Sequence, residues 1–557
     1  MPADDSLSLR AYVGDGTVML TFNLPEDQTR DLAGFAIERT TPSGKTEPLL
    51  NRLSFETAVT AATTPEQRVW TPTDRAPIQK FRWTDFPPDV EKGTYTYRAT
   101  AMRFREAGST ELEPGPSAEA AVEIMSGVEG GFEAGFTRSY VSSQAYADRF
   151  HNAPIAPTPP TIDFPTAEYE TRWRWLGFHA RQLVFDVLDE VESDDSLSLD
   201  VFAYDLNEPD IIARFAALGA RLRLYLDDSE AHTRPGAPEV AAHEKLAASA
   251  GADHVKTGHF SRFSHAKILI VRRAGTPIKV LTGSANFSIR GLYVQANNVF
   301  VFEDPDITKL YGEVFDQVWS DAHGFSASEL AARWFDVSSD PRTSVCFSPH
   351  HDANLSLSRV ADAIRGARNS VLFSVMELEG GGEVLAEIHE LPKRDLYAFG
   401  TTQSVDGDLA VTSPGHPAVA VPFAYLRDNV PAPFKAEISG GPGQVIHNKF
   451  VVVDFNDENP VVFAGSSNLA EGGEEENGDN LVCFADAGVA ETYAVEAIRL
   501  IDHYRFRAVQ KEATDDAPLA LKRSAAEWVP PYYDRSDERY LERTLFAGQR
   551  DEREPGG

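Results

Sequence analysis

The stretch HNKFVVVD, residues 447–454, sets a histidine, a lysine two positions on, an apolar run and an aspartate in order. Alternate side chains of a β-strand share a face, so His447 and Lys449 point the same way, and FVVV reads as strand by its β-branched content. An imidazole beside an ammonium at a strand end suits an anionic substrate. The ammonium neutralises charge, and the imidazole attacks or moves a proton. A single histidine on an apolar strand is more often structural than catalytic. Here the pattern occurs twice. Residues 265–271 read HAKILIV, so His265 and Lys267 repeat it. A Gly-Ser-x-Asn block begins 18 residues after each histidine, GSAN at 283–286 and GSSN at 465–468. Each block's asparagine is followed 12 residues later by another, Asn298 or Asn480, preceded directly by Asn297 or Asp479. Residue types repeated at fixed offsets without a gap mark a duplicated site.

At these residues the chain resembles the phospholipase D superfamily, whose signature is His-x-Lys-x4-Asp followed by Gly-Ser-x-Asn. The second copy is complete: His447, Lys449, Asp454, Gly465, Ser466 and Asn468. The first has His265, Lys267, Gly283, Ser284 and Asn286, with Arg272 at the aspartate position. The family's downstream acidic position is Asp479 in the second copy and Asn297 in the first. The resemblance spans residues 130–510 and implies phosphodiester chemistry through a phosphohistidine, with no metal or other cofactor. It implies a catalytic set of His265, Lys267, His447, Lys449, Asp454 and Asp479, with Ser284, Asn286, Ser466 and Asn468 binding substrate. It does not specify the substrate, because the superfamily includes lipases, phosphatidyltransferases and nucleases.

Two pseudo-equivalent lobes would set the histidines face to face across one phosphate. One neutral imidazole attacks phosphorus while the other, protonated, donates to the leaving alkoxide. The lysines, serines and asparagines would donate to the non-bridging oxygens, and the glycines would let phosphate approach the backbone. A carboxylate on the far ring nitrogen favours a charged imidazole. If each downstream residue serves its own copy, His447 meets Asp479 and is the acid, while His265 meets Asn297 and is the nucleophile. Arg272 replaces a supporting contact, not the nucleophile.

Stepping outward, the expected fold is multidomain. Residues 1–126 read as an all-β sandwich, from LSLRAYV, TVMLTFNLP, GFAIERT, FRWTDF, TYTYRATAM and AAVEI separated by turn residues. Their order resembles a fibronectin type III module, with Tyr95 at the tyrosine-corner place and a polar insertion over 50–78. A linker, 127–166, holds GVEGGFEAGF and a proline-rich run. Two α/β lobes (α-β-α), 167–335 and 336–511, follow as a phospholipase D-like region with a pseudo-twofold internal repeat. The tail, 512–557, is charged, with YYDRSDERYLERTLFAG tucked against the body and the last residues loose.

The 557 residues carry a net charge of −33, from 85 acidic and 52 basic residues. That field disfavours long polyanions. The segment EGGEEENGD (471–479) adds four glutamates and an aspartate as a loop able to attract a cationic choline or ethanolamine head group. The expected substrate is therefore a phospholipid, in a lipid-catabolic role. A metal-independent endonuclease is the alternative, needing a basic channel the sequence does not display; phosphatidyltransfer and a non-catalytic binding protein are further ones. No apolar run approaches bilayer length and the start lacks a secretory signal, so a cytoplasmic location is expected, with non-classical export open. The two cysteines, Cys346 and Cys483, read as buried thiols, and the histidines are not spaced as metal ligands. The partner of the N-terminal module is unspecified.

Overall fold

The computed structural model of the protein describes residues 7–64, 67–106, 108–124, 131–139, 142–157, 161–337, 340–376, 381–402, 420–422 and 446–548. The N-terminal unit is β-rich. Strands Ser8–Gly14, Thr17–Asn23 and Arg82–Asp85 form one antiparallel sheet, and Thr46–Pro48, Leu32–Thr40, Gly93–Phe104 and Leu112–Ile124 form another, in those orders. Period-two alternation in GTYTYRATA sends Tyr95, Tyr97 and Ala99 inward to meet Val18, Leu20, Phe22 and Phe35 in one core. The Tyr95 hydroxyl accepts the Glu91 amide at 2.8 Å. Inside the polar stretch 50–78, Leu50–Asn51 pairs with Thr71–Pro72.

Two larger sheets follow. Among the described residues the first has seven strands, in the order Phe132–Phe136, Asn298–Phe302, Thr276–Gly283, Ile268–Arg273, Leu197–Ala203, Leu222–Leu226 and Val255–Thr257. The second runs Phe335–Val337, Thr343–Ser348, Asn477–Phe484, Val461–Gly465, Phe450–Val453, Ser370–Val375, Tyr397–Thr402 and Ala420–Pro422. From Asn298–Phe302 and from Asn477–Phe484 the sheets follow one scheme: three antiparallel pairings, then two parallel ones. The central strands ILIV, NVFVF and FVVV are apolar throughout because both their faces are covered. Helices Glu170–Ser193, Pro209–Leu218 and Pro238–Ala250 cover the first sheet, and Asn354–Gly366 and Glu383–Glu390 the second. The inner faces share a core with helices Pro305–Asp321 and Ala487–Glu512, where Phe300 and Phe302 meet Phe484.

The stretch expected as linker is partly structural. Phe132–Phe136 pairs antiparallel with Asn298–Phe302 as an edge strand, and Ser143–Phe150 is helical. The strand FEAGF was hidden by the glycines of GVEGGFEAGF around it; Gly135 is needed there because a Cβ would come within 2.9 Å of the His179 backbone. Residues 127–130 and 158–160 lie outside the described residues. The tail packs on the N-terminal unit. Trp528, Val529 and Tyr532 join its core, and Phe81 lies within 4.8 Å of Tyr532, ring centre to ring centre. Buried Arg82 ties this unit to Asp502, at 2.9 Å, and to Glu542, at 3.1 Å. Tyr12 and Thr21 donate to the Phe546 carbonyl at 2.7 and 3.0 Å. The expected loose end, 549–557, lies outside the described residues. No helix of the described residues is long and apolar enough to cross a membrane.

Candidate active site

Each histidine is anchored to the opposite sheet. Phe263 and Ser264 pair in parallel with Asn477 and Gly478, and the His265 amide donates to the Gly478 carbonyl at 2.9 Å. Ile446 bridges to Ala296, whose carbonyl accepts the His447 amide at 3.1 Å. This exchange turns the rings toward each other, centroids 6.4 Å apart and planes inclined at 63°. Both are buried.

The exchange also reverses the expected pairing and removes the charge argument that made His447 the acid. Asp479 belongs to His265, not His447: His265 Nδ1 lies 2.8 Å from Asp479 Oδ1. His447 Nδ1 lies 2.9 Å from Asn297 Oδ1 and 3.0 Å from the Ser284 carbonyl. The strand carrying Asp479 is the one that Phe263–Ser264 joins, so the carboxylate arrives beside the histidine of the other copy. Carboxylate and carbonyl oxygens only accept, so Nδ1 is the donor in both rings and Nε2 carries the lone pair when the ring is neutral. Burial holds His265 below its usual range, with Asp479 opposing and Lys267 adding to the fall. His447 lies well below, through burial and then the charges of Lys449 and Lys267.

Each lysine folds back on its own motif. Lys267 Nζ donates to the His265 carbonyl, and Lys449 Nζ to the His447 carbonyl at 2.8 Å. Burial brings Lys267 down to about 8 despite nearby Asp479 and Asp205, and its Nζ sits 4.8 Å from the centre of the Tyr204 ring. Asn286 Nδ2 donates to Asp205 at 2.6 Å, while Oδ1 of Asn286 and of Asn468 is buried without a hydrogen-bond partner among the described residues.

Other expected site residues have structural contacts. The Ser284 hydroxyl donates to Asn297 Oδ1 at 2.8 Å and accepts the Asn298 amide at 3.0 Å. Ser466 does the same with Asn480, at 3.0 and 3.1 Å. Both hydroxyls pin neighbouring strands. Gly283 and Gly465 each have φ +149°, and a Cβ would strike the carbonyl of Asn298 or Asn480. Both glycines meet a neighbouring strand closely there. Asp454 is at the far end of its strand, where its carboxylate accepts the amides of Arg368, Asn369 and Ser370 at 2.8–3.1 Å. Arg272, at the equivalent position, pairs with Asp200 and, at 3.1 Å, with Asp316, and it donates to the Gly275 carbonyl at 2.9 Å.

The acidic segment is not a loop. Glu471–Glu476 is a short helix running into strand Asn477–Phe484. Glu474 is buried, bonded to the hydroxyls of Ser356 and Ser467, and burial pushes its carboxyl up to about 7. Glu471, Glu475 and Glu476 remain exposed. Both cysteines are free, buried thiols.

Sequence reasoning missed Tyr204, Asp205, Asp227, His232 and Glu239. The Tyr204 ring lies 4.9 Å from that of His265 and 4.5 Å from that of His232. Donor atoms of Asp205, His232 and Glu239 lie within 4.8 Å of one another, a grouping able to hold a cation. Their one sequence signal was position: Tyr204–Asp205 and Asp227 follow the carboxyl ends of adjacent parallel strands. A cavity of about 700 Å³ lies elsewhere, against the outer face of helix Glu170–Ser193.

Residues 195–319 match the family model described as "Cardiolipin synthase, PLD-like domain". This part of the chain is similar to phospholipase D-like domains. No curated protein matches the chain. Among solved structures, a polyphosphate kinase from Porphyromonas gingivalis is similar at 12% identity, with 67% of this chain and 52% of that one covered and a TM-score of 0.40. The chain thus spans about half the length of that kinase. A phosphatidylserine synthase from Haemophilus influenzae is 12% identical, covering 65% of this chain and 90% of that one, with a TM-score of 0.38. The phospholipase D family member Nuc from Salmonella typhimurium is 24% identical over 25% of this chain and 87% of its own, with a TM-score of 0.21.

Proposed function

We propose that the protein is a phospholipase D-type phosphodiesterase that hydrolyses a phosphodiester, a phospholipid head group by preference, through a phosphohistidine on His265. The observation that carries the reading is the pair of facing imidazoles, 6.4 Å apart, each with Nδ1 tied to an acceptor. An attacking nitrogen stands about 3–3.5 Å from phosphorus, and an acid about 2.6–3.2 Å from the leaving oxygen. A phosphate bound between the two rings would be reached by both.

In this reading Nε2 of His265 bonds to phosphorus as the ester P–O bond breaks. His447 gives its Nε2 proton to the departing alkoxide, then takes one from water, whose oxygen displaces His265. Asp479 supports the positive charge that grows on His265. Burial among cations keeps His447 neutral in the free protein, so the incoming phosphate anion restores its proton. Lys267, Lys449, Asn286 and Asn468 are the proposed phosphate donors. Asp454, Ser284 and Ser466 hold strands in place.

The internal pseudo-twofold repeat of two lobes, 167–335 and 336–511, is supported by the shared strand scheme. A fibronectin type III-like sandwich is supported by the N-terminal strand orders and the Tyr95 bond to Glu91. The lipid preference is supported by the −33 charge and by exposed Glu471, Glu475 and Glu476 near the second motif. A lipid needs one phosphate neutralised, whereas every neighbouring phosphate of a nucleic acid feels that field.

Purified protein is assayed on phosphatidylcholine and phosphatidylethanolamine in detergent micelles beside single- and double-stranded DNA at equal phosphate. Faster lipid turnover is expected. DNA cleavage without lipid turnover refutes the lipid preference and makes the protein an endonuclease.

A further inference from the structure

Beside the facing imidazoles lies a third histidine that the proposed reaction does not use. His232 stands between two carboxylates, Nδ1 2.7 Å from Asp227 Oδ1 and Nε2 3.0 Å from Asp205 Oδ1. Each carboxylate uses its other oxygen on the candidate site. Asp227 Oδ2 accepts the amide of Ser264, the residue before His265, at 2.6 Å. Asp205 Oδ2 accepts Nδ2 of Asn286 at 2.6 Å.

We propose that His232 is a positioning residue of the phosphodiester site: bridging Asp205 and Asp227, it holds the strand entering His265 and the amide of Asn286 in register. This rests on the phosphodiesterase reading for its catalytic consequence, but not for its charge state. Two acceptor-only partners require a proton on both ring nitrogens, and only the charged ring has two. His232 and Asp227 are buried, so each bond is charge-assisted in a poorly screened setting.

Other charged groups face the cluster. Lys267 and Arg290 act on Asp205, and Glu239 stands beside both Asp205 and His232 while accepting the Leu206 amide at 3.1 Å. Tyr204 closes the side toward His265. A neutral His232 keeps only one of its two bonds as donor. The released carboxylate then acts on Lys267, which draws a phosphate donor away from the reacting phosphorus.

The same residues permit one competing arrangement, with neutral His232, Asp205 and Glu239 ligating a divalent cation. The two states exclude each other, because a ligating nitrogen carries no proton. The test uses full-length protein labelled with 15N in histidine. The His232 resonances, assigned by their loss in His232→Gln, are expected to show both nitrogens protonated at about pH 8, well above the ordinary imidazole range. A neutral tautomer there, or stoichiometric divalent metal that disappears in His232→Gln, overturns the proposal.

Orthovanadate affinity and kcat on bis(4-nitrophenyl) phosphate form the second arm. His232→Gln is expected to lower each by about tenfold or more in the folded protein, the size of one lost charged hydrogen bond. A lower melting temperature with both values unchanged means a purely structural role and also overturns it. If His232→Gln does not fold, Asp227→Asn takes its place: the expected loss is of both the second ring proton and vanadate affinity, and retention of both overturns the proposal. Failure of the wild-type protein to turn over any phosphodiester, with a doubly protonated His232 that supports vanadate binding, counts against the phosphodiesterase reading alone.

Discussion

Replacing Asp479 by asparagine removes a charge while keeping an acceptor. The amide oxygen can still take the proton of His265 Nδ1, now 2.8 Å from the carboxylate, so the ring keeps its tautomer. The cost is the charge that supports His265 as Nε2 bonds to phosphorus. Hydrogen bonds to charged groups are worth about 1.5–3 kcal/mol, which converts to a loss of about 10–150-fold in rate. The pH dependence follows from the two imidazoles. His447 is held further below its usual range than His265, so the reactive form, with His265 neutral and His447 charged, is a minor species. Then kcat/KM breaks on the acid side at the His447 pKa and on the alkaline side at the His265 pKa, both below the ordinary imidazole value of about 6.5. Asp479 raises His265, so its loss lowers the alkaline break by about 1–3 units. At about pH 7.5, above both breaks, His265 is neutral in either protein, and the rate ratio isolates the lost charge support. The reciprocal change, Asn297→Asp, gives His447 a carboxylate and raises its pKa. At that pH kcat/KM should rise about tenfold for each unit gained, because the charged fraction of His447 grows in proportion. Profiles of kcat/KM on bis(4-nitrophenyl) phosphate for the three proteins decide the matter. A rise with Asp479→Asn and a fall with Asn297→Asp would reverse the roles of the histidines, and an Asp479→Asn protein within twofold of wild type would sink the charge argument.

Alanine at His265 or His447 should each remove about 10³-fold or more of the activity, since covalent catalysis loses its nucleophile or its acid; near-normal turnover by either mutant contradicts a two-histidine mechanism. Activity should survive EDTA, because the reaction is assigned wholly to imidazole, ammonium and amide groups, and a loss restored by one divalent metal refutes that assignment. Glu474 has a folded pKa of about 7 against an ordinary value near 4.5. A raised carboxyl pKa stabilises below the unfolded value, and the benefit is lost as pH climbs through the folded one. The melting temperature of the wild type should therefore fall from about pH 4.5 to 7 relative to Glu474→Gln, and parallel curves would show that the buried carboxyl is not titrating. Changing Glu471, Glu475 and Glu476 together to glutamine should shift the substrate preference toward DNA, read as the ratio of lipid to DNA turnover.

The duplicated spacing made the histidines and lysines legible, because covalent geometry fixes what lies two residues along a strand. The crossing of Asp479 onto His265 was not legible, since it depends on Phe263–Ser264 joining the opposite sheet, a pairing with no local signal. Polar side chains misled in a consistent direction. Ser284, Ser466 and Asp454 sit in motifs associated with phosphate, yet their nearest claimants are backbone amides that must be satisfied inside the protein. Glu474 looked solvated in a run of glutamates, but helical geometry turns one residue of that run inward. The strand in FEAGF was missed because the glycines of GVEGGFEAGF read as a joint while its two phenylalanines carried the alternation. The cluster around His232 lies in connections after strands, where sequence offers position and little else.

The tail that covers Phe81 has a consequence for the timing of synthesis. The apolar face completed by Trp528, Tyr532 and Phe546 belongs to strands made within the first 85 residues or so. At roughly 5–20 residues per second, a ribosome needs tens of seconds to reach the residues that cover it. Through that interval the nascent N-terminal unit carries an uncovered aromatic surface and an Arg82 without Asp502 or Glu542. A release of this unit from its chaperones before translation ends would leave that surface free to associate with other nascent chains, so the yield of folded protein should depend on holdase capacity more than on the stability of the finished molecule.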